Sequence, residues 1–421
     1  MSYRTEFRTN WRHLLGATVG MSLGLSLNFY VNSLFAPELI AEFGWSKSQY
    51  ALIGSASLIT MFFIPLGGRF IDVVGPRLAA AVGFTVLPLC DIALTFMTGD
   101  FRQFFAISII RTIFGVFTTT MVFARVASER FDTARGIALS IVMTGAPIVG
   151  ALLTPFLAEI IGDYGWRAGY RALALIAALG GGAALLLLGR GPKTKAKAPG
   201  RPRVRFAGAD IAALFRSPLF PLAFGGMLLV NVPQVVAASQ LKLILLQKGV
   251  ATEVVTGVIA LYAGGVAVGR ILSGLALDRI AAHKVAIAVL GFPALGLLAL
   301  ASPLNAAWLL GGSVLLLALA QGAEGDIGAY LVSRKFPLKD YSLLLSLMTI
   351  AITIGSALGS LVLSYFLHET DTYTVFLVVG AVATLVGAIL FYLTGRYPPA
   401  GGEAAEPEIP MMAGLPSTPA P

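Results

Sequence analysis

The sequence is poor in charge, cysteine and histidine. Only 12% of its 421 residues are Asp, Glu, Lys or Arg, against about 25% in a soluble domain. With 57% hydrophobic residues, the chain lacks the polar side chains to cover itself against water, which excludes a soluble globular fold. The single cysteine, Cys90, excludes disulfides within the chain. The histidines His13, His283 and His368 each fall near the end of an apolar run, so they read as interfacial groups and make no metal cluster. No phosphate loop and no Ser/His/Asp set at a common level is visible. Neither an enzyme site, nor ATP drive, nor a cofactor is therefore expected.

What the chain does have is long apolar runs. A bilayer core takes about 20 mostly apolar residues per helix. Twelve such segments stand at roughly 14–37, 48–71, 78–98, 102–124, 135–159, 168–189, 218–244, 252–277, 284–302, 306–333, 342–366 and 373–395. They predict an all-α integral membrane protein with twelve transmembrane helices. The basic start MSYRTEFRTNWRH resembles a signal peptide. The run behind it is too long for one, and no small-residue cleavage site precedes the next segment, so it is expected to be retained.

Lys and Arg set the direction, because cytoplasmic loops accumulate them. With the N-terminus inside, 22 of the 30 fall on the inner side and 6 on the outer, while Arg111 and Arg270 lie within segments. Both termini are then cytoplasmic, and the net charge of +9 needs no polyanion to explain it; nucleic acid is not an expected partner. The short loops and small termini point to a bacterial inner membrane. Residues 190–217 carry eight basic residues among Pro and Gly and read as a flexible cytoplasmic linker. It separates an N-terminal six-helix bundle (1–189) from a C-terminal one (218–396). The Pro-, Ala- and Gly-rich end, 397–421, reads as a disordered cytoplasmic tail.

The two halves echo each other. Segment 2 ends GGRFIDVVGPR and segment 8 ends SGLALDRIAAHK, so Gly68 and Asp72 correspond to Gly274 and Asp278. In each, a small residue is expected to let a neighbouring helix approach, with an Asp one turn later at the inner surface. Two related six-helix halves form the transporter pattern, with a site between them at the midplane. The chain resembles the major facilitator superfamily over residues 10 to 396. That family's inner-loop motif, Gly-x-x-x-Asp-Arg-x-Gly-x-Arg, is matched by Gly68, Asp72, Gly75 and Arg77, with Val73 in place of the first Arg, and in the second copy by Gly274, Asp278 and Arg279. The resemblance implies two pseudo-symmetric six-helix bundles and a gating role for these residues.

A narrower resemblance, to the monocarboxylate transporter and oxalate–formate exchanger branch, rests on ERFDTARGIALSIVMTGAPIVGALLTPFL (Glu129 to Leu157), on GWR at Gly165–Arg167 and on FGWS at Phe43–Ser46. Arg135, Gly136 and Ala138 match the branch's Arg-Gly-x-Ala helix entry. The acidic-Gly-aromatic signature of animal members is absent from segment 1, where Asn28, Tyr30 and Asn32 stand instead.

Ionisable residues inside segments cost roughly 2.5–3.5 kcal/mol each on insertion scales and normally face a partner or a water-filled cavity. They are Asp91, Arg111, Arg270, Glu324 and Asp326. At 1.5 Å per residue, Arg270, Glu324 and Asp326 all fall about 12–15 Å from the inner surface. Glu324 and Asp326 are about 200° apart around their helix and cannot face the same way. Glu324, on the face of Gln321 and Gly328, is the favoured one for the cavity; Asp326 shares a face with Tyr330. Asp91 and Arg111 match in depth, each roughly 12–15 Å from the outer loop around Gly99–Arg102, and read either as a charge relay or as a structural ion pair.

The branch resemblance implies that Arg270, four residues before Gly274, grips a substrate carboxylate, and a guanidinium can do so with two parallel hydrogen bonds. The Asp that animal members carry one turn earlier is Val266 here, leaving Glu324 or Asp326 as the proton partner. Leu343 to Tyr365 holds no charge, so the exchanger's second cation is missing and a monoanion is favoured over a dicarboxylate. Tyr30, Asn28 and Asn32, with Asn231 and Gln234 near a Pro233 kink, are the expected lining groups. Lys242 is expected to reach toward the outer surface. The expected function is secondary transport of a small monocarboxylate, proton-coupled, by a monomer in the lipid bilayer. Its rivals are a proton-driven exporter of drugs or other apolar compounds, which GAPIVG (Gly145 to Gly150) loosely resembles, and a membrane sensor, for which no signalling domain is present.

Overall fold

The computed structural model describes residues 3–131, 133–189, 218–277, 279–336 and 341–398. The predicted linker 190–217, all but the first two residues of the predicted tail 397–421, and Asp278 lie outside the described residues. Among those described, the regular structure is entirely helical.

Eight helices are long and apolar enough to cross a membrane, and two bent pairs, Arg4–Leu23 with Leu25–Leu34 and Lys47–Met61 with Leu66–Val74, raise the number to ten. The 53-residue helix Arg135–Leu187 reverses at Gly165, whose φ of 80° is open to glycine, and so supplies segments 5 and 6. The shorter apolar helices Leu219–Val230 and Val236–Gln247 are the two arms of segment 7. The described helical stretches fall along the twelve sequence segments, of which eight to ten are shown long and apolar enough to cross.

Segments 1 and 7, which lead their respective halves, are both broken near the middle. A helix break inside a bilayer frees backbone groups that no water can satisfy, so side chains must take them. In segment 1 the chain bends by 43° at Gly24, and the freed N–H of Leu25 donates to Thr118 Oγ1 at 2.8 Å. In segment 7 the break covers Asn231 to Pro233, where proline removes a backbone donor. The Asn231 side-chain amide donates to the Met227 carbonyl at 2.8 Å, taking the acceptor that its own N–H gives up. A π-helical turn, Val236–Gln240, follows.

FGWS and GWR, distant in the chain, meet at the predicted outer end. Trp166 stacks edge-on against Phe43 with ring centroids 5.5 Å apart. Trp45 Nε1 donates to the Gly99 carbonyl at 2.7 Å, and Arg167 pairs with Glu42 at 2.6 Å. The Trp166 indole N–H donates to the same carboxylate. The hydrogen bond from Trp166, helped by Arg167, holds the Glu42 carboxyl below the usual carboxylate range.

The same end joins the halves. Lys47 pairs with Asp371 at 3.2 Å. Ser364 Oγ donates to the Ser48 carbonyl at 2.9 Å. Lys242 is buried, donating to the Leu34 carbonyl at 3.0 Å, with Glu38 4.0 Å away. This departs from the sequence expectation: the ammonium does not reach outward, because an opposing carbonyl and carboxylate lie closer than the surface. Between described residues, the hydrogen bonds and ion pairs that link segments 1–6 to segments 7–12 all lie at this end.

The inner ends differ from expectation. A Cβ on Gly68 or on Gly274 would meet nothing within 4 Å, so neither glycine serves close helix packing here. Both positions face open space among the described residues. Asp72 instead pairs within its own half, with Arg125 at 2.5 Å, and Arg125 also holds Glu129 at 2.8 Å. Gly75 has a φ of 84°, the left-handed turn from segment 2 into segment 3 that a side chain would strain. Arg77 opens segment 3, and Arg279 follows segment 8 exposed.

Two outcomes follow. Because Glu42 is held low when folded, its stabilising contribution is full above the ordinary carboxylate value of 4.5 and is lost as pH falls through the folded value. The melting temperatures of the protein and of Glu42→Gln should therefore differ above that pH and converge below it; a constant gap refutes the role. Ser48→Cys with Ser364→Cys, in a Cys90→Ser background, should cross-link under mild oxidant and keep the halves together after cleavage at a protease site inserted in 190–217. Free separation of the halves would refute the closed outer end.

Candidate functional site

The site is built where segment 8 (Thr252–Leu277) lies against segment 10 (Ala307–Lys335). Glycines set their separation. A Cβ on Gly265 would sit 2.7 Å from Ala318 Cβ. One on Gly269 would strike the Leu319 backbone, and one on Gly322 the Val266 carbonyl. Backbones this close bring side chains one residue further along into reach of each other.

Arg270, next to Gly269, lies with its Nε 3.7 Å from Asp326 Oδ2. That is close enough for charge pairing and too long for a hydrogen bond. The Arg270 Nε is buried without a hydrogen-bond partner among the described residues, and the two side chains are 22% and 39% exposed. Glu324 takes the other face. It is buried, accepts from Gln321 Nε2 at 2.6 Å, and Gln321 Oε1 accepts from Gln234 at 3.3 Å. The expected division of the two carboxylates by helix rotation is thus present, with Asp326 as the neighbour of Arg270 and Glu324 turned into the second half. Both Arg270 and Glu324 are close enough to Tyr30, on segment 1, to act on it electrostatically. The cluster therefore sits against the boundary between the halves.

Tyr30 packs on Gly150, whose added Cβ would lie 2.9 Å from the ring, and its centroid is 6.5 Å from that of Tyr262. Gly145 makes a similar place for Ser22 and Thr18 of segment 1. The glycines of GAPIVG are accounted for by helix packing. Tyr262 was not singled out in the sequence, although it lies two turns before Arg270; one tyrosine among twelve carries no local signal of the side it faces.

A cavity of about 40 Å³ opens beside Glu324, lined among others by Gln234, Tyr262, Gln321 and Thr384. Asn231, fully buried at the segment 7 break, also acts on Glu324, and its Oδ1 has no partner among the described residues. Of the other predicted lining groups, Asn28 is buried in segment 1, and Asn32 offers its carbonyl to Tyr50 Oη at 3.5 Å.

Asp91 and Arg111 form a separate unit. Arg111 Nε is 2.7 Å from Asp91 Oδ1, with side chains 7% and 1% exposed. The contact is close but poorly angled for a hydrogen bond, and both atoms lack one. The guanidinium also lies 5.9 Å from the centroid of Tyr170. The pair is enclosed among segments 3, 4 and 6, and the fold does not bring it to Arg270.

Comparison with known proteins agrees with this architecture. Residues 18–323 and 236–419 match the family model described as Major Facilitator Superfamily. The "MFS-type transporter pytF" of Aspergillus terreus is 24% identical over 272 residues, covering 62% of this chain and 85% of that protein. The crystal structure of a D-xylose–proton symporter superposes with a TM-score of 0.71 at 16% identity, over 94% of this chain and 99% of that one. A bacterial homolog of the human lysosomal transporter Spinster, in an inward-facing and unoccupied conformation, gives 0.66 at 14% identity, over 95% and 100%. At these identities the two structures speak for the fold alone. The extent of the family match makes the chain a member of the Major Facilitator Superfamily of membrane transporters.

Proposed function

We propose that the protein is a secondary transporter that carries a small organic monocarboxylate together with a proton, with Arg270 as the anion-binding group and Asp326 as its exchangeable partner. The observation that carries this reading is the Arg270 Nε, buried and without a hydrogen bond, 3.7 Å from Asp326. A guanidinium in that state is neutralised yet keeps donors for a planar carboxylate, and its charge is constant across physiological pH.

The cycle follows from charge pairing. Without substrate, Asp326 balances Arg270. When a substrate carboxylate takes the guanidinium, Asp326 loses its partner in apolar surroundings, where burial disfavours the charged form of a carboxyl group. It then binds a proton, and anion and proton cross together as the two halves rock about the site. The clasp at the predicted outer end opens in that step, and the open faces of Gly68 and Gly274 receive the opposing half. The lone cation favours monoanions over dianions. Asp91 and Arg111 hold segments 3 and 4 together in this scheme.

Uptake of labelled monocarboxylates into cells or proteoliposomes tests both roles. Arg270→Gln and Arg270→Lys should each lower uptake at least 100-fold, since a bidentate carboxylate site is not filled by an ammonium, while leaving membrane insertion intact; normal uptake would refute the anion site. Asp326→Asn should abolish the dependence of uptake on the proton gradient. Glu324→Gln should leave that dependence in place, and the opposite result would transfer the proton role to Glu324.

A further inference from the structure

Glu324 is a buried carboxylate that the Arg270–Asp326 exchange does not use, and polar side chains stand beside it. The approximately 40 Å³ cavity beside it is lined by Tyr262, Thr384, Gln234 and Gln321 together with apolar residues of segments 7, 9 and 10. That space exceeds the ~10–15 Å³ one water needs and is far below the ~300 Å³ at which small-molecule pockets begin. It has room for an ion and a water or two, and none for an organic substrate.

Segment 7 adds two further features. Its first arm, Leu219–Val230, ends at the cavity, with Val230 and Pro233 in the wall. The C-terminal end of a helix carries a partial negative charge from its unsatisfied carbonyls, and broken helices of transporters place such ends on coupling cations. At the break stands Asn231, 0% exposed, whose side chain bears on Glu324. Its amide nitrogen donates to the Met227 carbonyl, and the side chain also hydrogen-bonds Glu324. Its Oδ1 has no partner among the described residues. An orphaned buried amide oxygen is costly unless a donor or a cation meets it.

We propose that this chamber binds a small monovalent cation, of the sodium class, held by Glu324 and Asn231 with amide oxygen from Gln321 or Gln234 and a hydroxyl from Tyr262 or Thr384. Hard cations prefer such carboxylate, amide and water oxygens. One carboxylate fits one positive charge, and a divalent ion would be left half-neutralised in an apolar bundle. The site is distinct from the anion site at Arg270 and does not require it. Because Tyr262 and Tyr30 pack together at 6.5 Å between centroids, an ion ordering Tyr262 also bears on the boundary between the halves.

The test is thermal unfolding of the purified full-length protein in detergent, titrated at fixed pH and ionic strength with NaCl, KCl or choline chloride. A ligand that binds only the folded state raises the melting temperature with concentration. The expected result is a saturable rise with sodium that potassium and choline do not reproduce. It should vanish in Glu324→Gln, fall at least tenfold in apparent affinity in Asn231→Ala, and persist in Arg270→Gln. Persistence in Arg270→Gln separates this site from the carboxylate reading. Equal responses to all three salts, no sodium response at all, or a response unchanged in Glu324→Gln would each overturn the proposal. Stabilisation by acid alone would assign the chamber to a proton instead. If Glu324→Gln fails to fold, radioactive sodium is bound to the unmodified protein and competed with excess unlabelled sodium: displaceable binding upholds the site, and its absence overturns it.

Discussion

A guanidinium in the middle of an apolar slab must be neutralised, and the structure is arranged around doing so incompletely. Arg270 cannot shed its proton, so burial without a counter-charge would be expensive. A well-aligned salt bridge would neutralise it fully and also lock it. The 3.7 Å separation from Asp326 lies between those limits: close enough to offset the charge, too long to occupy the donors. The distance is set by backbone, because Gly265, Gly269 and Gly322 let segments 8 and 10 approach until main chain meets main chain. Any larger residue at Gly269 or Gly322 would push Arg270 away from both carboxylates. The glycine contacts are thus as much part of the site as the charges.

The two broken helices solve a related problem. A continuous helix satisfies its own backbone and offers a site only side chains. Breaking segments 1 and 7 near their middles exposes backbone dipoles at the depth of the charged cluster. Thr118 meets the loose N–H of Leu25, and Asn231 caps the Met227 carbonyl. In each case a neighbouring or local polar side chain does what water does at a loop. The breaks occur at matching places in the two halves, but their means differ: glycine in one, an Asn-Val-Pro sequence in the other.

Much of this was legible in the sequence, and what was not has a common cause. Counting 1.5 Å per residue put Arg270, Glu324 and Asp326 at one depth, and Asp91 at the depth of Arg111; the structure has Asp91 and Arg111 2.7 Å apart. The 200° between Glu324 and Asp326 foretold that they would separate, since helix geometry alone dictates it. Which of them meets Arg270 depends on how segment 10 is rotated against segment 8, and glycine packing decides that. Gly265, Gly269 and Gly322 are three among 47 glycines, and nothing local distinguishes them from Gly68 and Gly274, where space lies open. Lys242 was misplaced for the same reason. Its carbonyl and carboxylate partners, Leu34 and Glu38, are some 200 residues away in the chain, and only tertiary structure brings them near.

The asymmetry between the two ends connects the site to the motion expected of it. At the predicted outer end, ionic and hydroxyl contacts hold the halves together, and most of these side chains are partly exposed, so each contact is worth little by itself. At the other end the motif glycines face open space and Asp72 is satisfied by Arg125 within its own half. A transporter needs its two end states close in energy, since a ligand can shift an equilibrium only by its differential affinity for the two states. The predicted outer end also carries an apolar cluster shared by the two halves, with Val31, Leu34 and Leu39 beside Val236, Leu241 and Ile244, so opening it exposes apolar surface that the other state must bury elsewhere. In the proposed cycle, filling Arg270 changes the charge balance where segments 1, 8 and 10 meet. Binding there would bear directly on the contacts between the halves, because Tyr30 of segment 1 packs against Tyr262 of segment 8.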